Sequence, residues 1–287
     1  MKWGLVLEGG ASRTYFTCGV LDGFLDRSLY SDYMIGVSAG ISFGVSYVSR
    51  QRGRNYNIMM KYQNDSRYMG VRHLLNRKNR SYYNLDFVFE EIPNKLLPFD
   101  FNVFDNRSTR CRAVVTRLDN GCAEYMEMPK DRSFRLLRAT CALPLLFKPI
   151  EINGVMYMDG GVSDSLPFKK AFEDGCDKII AILTHPNGYI KGYESATPLV
   201  KAAYRKYPRF VESFLSRPER YNSSLSELEN LRREGKALIL TPRDTYGVGR
   251  TESRPEKLVK LYEEGLNCFK ENEAAIKTFI SPQQSCL

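Results

Sequence analysis

Long apolar runs are missing from this chain. No window approaches the roughly 18 consecutive apolar residues needed to span a bilayer, which argues against a helical membrane protein. The first ten residues offer only a short apolar run before Glu8 and two glycines, so no export signal is expected. Histidine is scarce, with two in 287 residues, and the seven cysteines are odd in number and scattered, with no C-x-x-C pair. That pattern excludes a disulfide framework and reads as reduced, mostly buried thiols in a cytosolic compartment. Neither G-x-G-x-x-G nor G-x-x-x-x-G-K-[ST] occurs, which disfavours a nucleotide site.

What is present suits an ordinary globular chain, 43% hydrophobic and 26% charged, long enough for one large domain or a core with an appendage. The net charge is +9, from 42 basic and 33 acidic residues, and it is uneven. Arg50, Arg52, Arg54, Lys61, Arg67, Arg72, Arg77, Lys78 and Arg80 are opposed within that stretch only by Asp65, with Tyr56, Tyr62, Tyr68, Tyr82 and Tyr83 interleaved. Such a face can meet anionic lipid headgroups or nucleic acid, or simply be a solvated helix face.

Short apolar runs alternate with helical patterns. Strands are expected at residues 3–7, 33–37, 112–116, 122–126, 155–158, 178–183 and 237–240, and helices at 14–29, 39–48, 134–140, 197–215 and 255–280. Residues 54–82 read as helix plus basic loop. Residues 92–104 form an apolar stretch punctuated by proline. Asp119-Asn120-Gly121 signals a turn between two of the strands. The alternation implies a three-layer α/β/α fold with a mostly parallel central sheet. The division expected is a catalytic domain at 1–190 and a mostly helical extension at 191–287 packed on the same core.

Three segments carry chemistry. Gly36-Val37-Ser38-Ala39-Gly40 fits the nucleophile elbow G-x-S-x-G, with a strand before it and a helix after it. The serine sits on a sharp turn, so its neighbours two residues away must be small, and the hydroxyl is aimed at a helix N-terminus. As a bare pattern, chance supplies on the order of 0.1 matches in such a chain. Glu8 to Arg13 follows the first strand, and its glycines can free N–H groups for an anion, although the segment alone reads equally as a plain turn. Asp159-Gly160-Gly161 is a common turn sequence. It gains meaning when a base for Ser38 is sought. The common triad order leaves only His185 as an imidazole, while His73 lies among basic residues. A carboxylate that is ionised at neutral pH can instead accept the serine proton directly.

Together these residues resemble the patatin-like phospholipase family, whose pattern is a glycine-rich loop ending in arginine, then G-x-S-x-G, then D-G-G or D-G-A. Matching stretches also include Cys18 to Asp22, Ala139 to Pro144 and Gly161 to Pro167. The resemblance covers about residues 4–186, with weaker similarity beyond to the C-terminal extension of a bacterial subgroup. It implies a Ser38–Asp159 dyad, an oxyanion hole from Gly9, Gly10 and Ala11, and Arg13 anchoring that loop. Gly36, Gly40 and Gly160 would be supporting residues. No metal or organic cofactor is implied, and the substrates implied are phospholipids, lysophospholipids and other acyl esters. The chain departs from G-G-G-x-R-G at Ala11 and Thr14, and an alanine with positive φ would be strained. The expected function is therefore a lipid acyl hydrolase, cytoplasmic or peripheral to an anionic membrane, with no nucleic-acid partner. The alternatives are a hydrolase of soluble esters or thioesters, or a non-catalytic basic protein that binds lipid or nucleic acid.

Overall fold

The computed structural model describes residues 1–75 and 81–281; Arg77, Lys78 and Arg80 of the basic stretch lie outside them. The strands are β1 (Trp3–Leu7), β2 (Tyr33–Val37), β3 (Arg110–Arg117), β4 (Ala123–Glu127), β5 (Ile150–Ile152), β6 (Val155–Asp159), β7 (Lys178–Ile182) and β8 (Ala237–Leu240). The helices are α1 (Tyr15–Asp26), α2 (Ala39–Val48), α3 (Arg54–Tyr62), α4 (Phe101–Asp105), α5 (Arg135–Thr140), α6 (Phe168–Glu173), α7 (Thr197–Ala203), α8 (Pro208–Leu215), α9 (Arg217–Arg233) and α10 (Pro255–Ile280).

All eight strands join one sheet: β3, β2, β1, β7 and β8 lie side by side in that order, β4 pairs along the other edge of β3, and β6, which carries β5, pairs with the end of β3 beyond β2. Its centre is parallel, from β3 through β2, β1 and β7 to β8, while β4 and β6 pair antiparallel with β3, and β5 pairs antiparallel with β6. The side-chain alternation of the strands sorts the core into two layers. Leu5, Leu7, Met34, Val115 and Ile182 lie on the side covered by α1, α2, α5 and α10. Val6, Ile35, Val37, Val114 and Ala181 lie on the other, under α6 and α9. This is the expected α/β/α arrangement.

The extension is woven into that core. β8 pairs with β7, and α10 lies against α1. There a Cβ on Gly265 would overlap the Phe16 carbonyl oxygen, so the two helices meet backbone to backbone as only a glycine allows.

Several elements differ from expectation. The helix expected from residue 14 is preceded by a 3₁₀ turn, Ala11–Thr14. The single segment at 197–215 is two helices, because Pro208 opens α8 and cannot continue α7. A π-helix, Phe87–Leu96, holds Pro93 and closes with Leu97 N–H donating to Ile92 O at 2.8 Å. The 17-residue α9 was not expected, and it buries only Pro218, Tyr221 and Leu228. Cys18, Cys111, Cys176 and Cys268 are buried free thiols. Among the described residues no helix is long and apolar enough to cross a membrane.

Candidate active site

Ser38 stands between β2 and α2 with φ 52° and ψ −130°, a backbone conformation that costs a non-glycine residue of order 1–3 kcal/mol. Its surroundings enforce the turn. A Cβ on Gly40 would stand 2.6 Å from Glu8 O and 2.8 Å from Leu7 O, and one on Gly36 would stand 2.9 Å from the Ile41 nitrogen. Both flanking positions are therefore closed to side chains. The Ser38 N–H donates to Thr140 Oγ1 at 2.9 Å, and that hydroxyl donates to Val114 O at 2.6 Å, which ties the elbow to β3.

Asp159 arrives from the opposite direction. β4 occupies one edge of β3 over Arg112–Thr116. On the other edge Val37 pairs with Val114 and Asp159 with Val115. The parallel β2 and the antiparallel β6 thus meet end to end, which delivers Ser38 and Asp159 to the same point. Asp159 N–H donates to Ala142 O at 2.9 Å, so the 139–144 stretch holds both partners. Gly160 fits beneath them, since a Cβ there would collide with the Val114 carbonyl.

The carboxylate is 1% exposed. Oδ1 accepts from Gly161 N–H at 2.7 Å, and Oδ2 is buried without a well-directed hydrogen bond. Burial raises the pKa of Asp159; the Ser38 hydroxyl, then Gly161 N–H, Arg217 and Arg250, act in the other direction. Ser38 and Asp159 line the same cleft.

The glycine loop lies against the elbow: a Cβ on Gly9 would stand 2.9 Å from Ser38 Cβ, and one on Gly10 would meet the Thr184 side chain. Among the described residues, the N–H groups of Gly9, Gly10 and Ala11 find no acceptor, whereas Arg13 N–H donates to Gly10 O at 3.1 Å. Ala11 has φ 48°, so the methyl group sits where the backbone favours glycine. Thr14 is right-handed, at φ −67°, and bears no such strain. The Arg13 guanidinium makes no hydrogen bond to the loop it was expected to anchor, and its Nε is buried without a partner.

Two hollows meet at Ala11, Ser38 and Leu143. One is apolar, walled by Tyr15, Phe43, Tyr68, Tyr83, Phe89 and Phe147 among others, with about 650 Å³ of empty space including its mouth. The other is a polar cleft lined by Glu8, Arg13, Asp159, His185, Lys191, Arg217 and Arg250. Burial, then the cations Arg13, Lys191 and Arg250, push the His185 pKa down to about 3. The ring stacks on Tyr189 at 3.7 Å between centroids and makes no hydrogen bond to Ser38 or Asp159.

The basic stretch is largely engaged within the molecule. Arg52 pairs with Asp26, Arg67 with Asp65 and Glu91, and the buried Arg54 donates to Leu97 O at 3.0 Å. Of the interleaved tyrosines, Tyr68 and Tyr83 wall the apolar hollow and Tyr56 packs on Tyr262.

Sequence reasoning missed Lys191, Arg217 and Arg250, which no motif marks. Thr140 had a signal, since it lies in the stretch 139–144 already matched to a family pattern.

A G-x-S-x-G turn thus stands on a mixed α/β/α sheet with an aspartate delivered to the same strand edge. The chain belongs to the patatin-like phospholipase family, whose model matches residues 5–172. A second model, a domain of unknown function (DUF6363), matches residues 207–281. The chain is 28% identical over 232 residues to the uncharacterized protein YjjU of Escherichia coli (strain K12), covering 72% of this chain and 64% of that one. It is 27% identical over 191 residues to Lysophospholipase NTE1 of Debaryomyces hansenii, covering 62% of this chain and 11% of that protein. A probable lipid hydrolase, 463L of Invertebrate iridescent virus 6, is 24% identical over 212 residues, covering 63% of this chain and 69% of the viral protein. The chain therefore spans less than two thirds of the bacterial relative and about a tenth of the fungal one. Among solved structures, VipD from Legionella pneumophila aligns with a TM-score of 0.49 at 14% identity, covering 96% of this chain and 67% of that one.

Proposed function

We propose that the protein is a serine acyl hydrolase that cleaves lipid carboxylic esters. Ser38 Oγ attacks the ester carbonyl while its proton passes to Asp159. The N–H groups of Gly9, Gly10 and Ala11 hold the oxyanion, a role in which one lost donor typically costs roughly 3 kcal/mol. The leaving alcohol takes the proton from Asp159 as the acyl-enzyme forms. Water, giving its proton to Asp159, then attacks the acyl carbon, and the acid is released as Ser38 Oγ takes that proton back.

The observation that carries this reading is a strained serine against a buried carboxylate whose Oδ2 has no other partner, at the junction of an apolar hollow and a polar cleft. An acyl chain fits the first and the alcohol the second. The names of the fungal and viral relatives point to the same chemistry. His185, with its lowered pKa and no hydrogen bond to either residue of the pair, is a poor candidate for the base.

Contact with an anionic lipid surface belongs to the same reading. Its place is the turn Val71–Leu75, where Val71 and Leu75 are exposed beside Arg72, a few residues after Tyr68 of the hollow's wall.

The test is labelling with a fluorophosphonate and mapping of the adduct by mass spectrometry. The expected result is one adduct, on Ser38, that is lost in Ser38→Ala. Failure to label, or an adduct elsewhere, rejects the proposal.

A further inference from the structure

The polar cleft holds more positive charge than its own carboxylates neutralise. Arg13, Lys191, Arg217 and Arg250 line it, against Glu8, Asp159 and the neighbouring Glu194, four cations to three anions. The pairing is also uneven. Glu194 takes Arg217 at 2.8 Å and both Nη atoms of Arg250 at 2.7 and 3.0 Å. Burial opposes its ionisation, but the hydrogen bonds and charge of Arg250, then Arg217, outweigh it and hold the carboxyl at about 2. Glu8 is held by three neutral donors, the Tyr221 hydroxyl at 2.7 Å and Thr184 N–H and Oγ1 at 2.6 and 2.9 Å.

That leaves Arg13 and Lys191. Among the described residues neither has a carboxylate within 4.0 Å, and Arg13 Nε is buried without a partner. Lys191 is only 9% exposed. Its ammonium lies 4.8 Å from the centre of the Tyr221 ring. Lys191 is buried and Arg13 partly so; cations withdrawn from water without a paired carboxylate are costly, and these two open onto the cleft that contains Ser38. Such an arrangement fits an anion that arrives with the ligand. It also disfavours a cationic headgroup: an aromatic face suits a quaternary ammonium, but the Tyr221 face already carries Lys191.

We infer that Arg13 and Lys191, backed by the Arg217–Glu194–Arg250 cluster, form a phosphate subsite on the alcohol side of the scissile ester, selecting a phosphomonoester and rejecting a zwitterionic phosphocholine. The inference rests on the hydrolase reading above and adds the charge of the leaving group. A phosphate offers several oxygens to an arginine fork and a lysine point charge at once, which a neutral glycerol cannot. Lys191, Arg217 and Arg250 all lie beyond residue 172, where the patatin-like match ends. The C-terminal segment therefore supplies most of the selectivity.

The test uses the full chain and three esters of one oleoyl chain in uncharged detergent micelles: 1-oleoylglycerol 3-phosphate, 1-oleoylglycerol and 1-oleoylglycero-3-phosphocholine. The phosphomonoester is expected to have a kcat/KM roughly tenfold or more above the others. Lys191→Met should erase most of that preference, chiefly through KM, and Lys191→Arg should restore it. A separate arm titrates Ser38→Ala with glycerol 3-phosphate, glycerophosphocholine and inorganic phosphate by calorimetry, which reads the subsite without turnover. Tighter binding of glycerol 3-phosphate than of the other two supports the inference. Equal cleavage of the three esters, preference for the choline ester, or an unchanged preference in Lys191→Met overturns it and leaves the hydrolase reading standing. Binding of inorganic phosphate as tight as glycerol 3-phosphate, with no gain for the phosphorylated ester, assigns the cations to free phosphate instead. If no ester is cleaved and Ser38 does not label, the hydrolase reading fails, and the calorimetric arm alone decides whether the cleft selects phosphomonoesters.

Discussion

Val37 and Asp159 pair with consecutive residues, Val114 and Val115, on one edge of β3. Two strands running towards each other thereby set a serine against a carboxylate far along the chain.

Ser38 holds a positive φ that glycine adopts freely and alanine does not. Ser38→Gly and Ser38→Ala should both abolish ester hydrolysis. Ser38→Gly should be more stable than Ser38→Ala by about 1–2 kcal/mol, read from denaturant midpoints. Equal midpoints would show that the turn carries no strain.

Asp159→Asn should lower kcat by roughly 10²–10⁴, the usual contribution of a general base, whereas His185→Ala should keep most activity. The reverse pattern would make His185 the base. Stability should move the other way. Burial raises the folded-state pKa of Asp159 above its unfolded value, so its contribution to folding is present below the unfolded pKa and lost as pH rises through the folded one. Above the folded-state pKa the ionised carboxylate opposes folding, and Asp159→Asn should raise the melting temperature there.

The same shift sets a pH profile. A base must be deprotonated to act, so kcat/KM should fall on the acid side at a pH above the ordinary aspartate value of 3.8. Arg250 helps hold that pKa down, and its loss also leaves Glu194 less neutralised. Arg250→Gln should therefore move the acid limb to higher pH. A limb that stays in place, or moves down, would contradict Asp159 as the base.

Ala11 is the loop's departure from glycine, and it sits at φ 48°. Ala11→Gly should stabilise the protein by about 1 kcal/mol with activity retained or increased. Reduced activity in a stabler protein would mean that the methyl group holds the loop in its working shape.

Much of this architecture was legible in the chain because the signals were local. β1, β2, α2, β8 and α10 begin and end where their apolar patterns do. The segments at Gly36–Gly40 and Asp159–Gly161 were readable because steric exclusion at a sharp turn leaves glycine as its trace. What escaped was long-range or short. α9 buries three residues in seventeen, too few to give a periodic stripe. β5 has three residues. Arg217 and Lys191 belong to the site only through the packing of the C-terminal segment, which spacing along the chain does not encode.

The meeting of the two hollows at Ser38 gives the proposed reaction a direction. In the proposed reaction a molecule with one greasy and one charged end enters chain inward and charge towards the arginines. The alcohol then departs first while the fatty portion stays tethered, so a rapid pulse of alcohol should precede steady release of acid whenever the second half of the cycle is the slower.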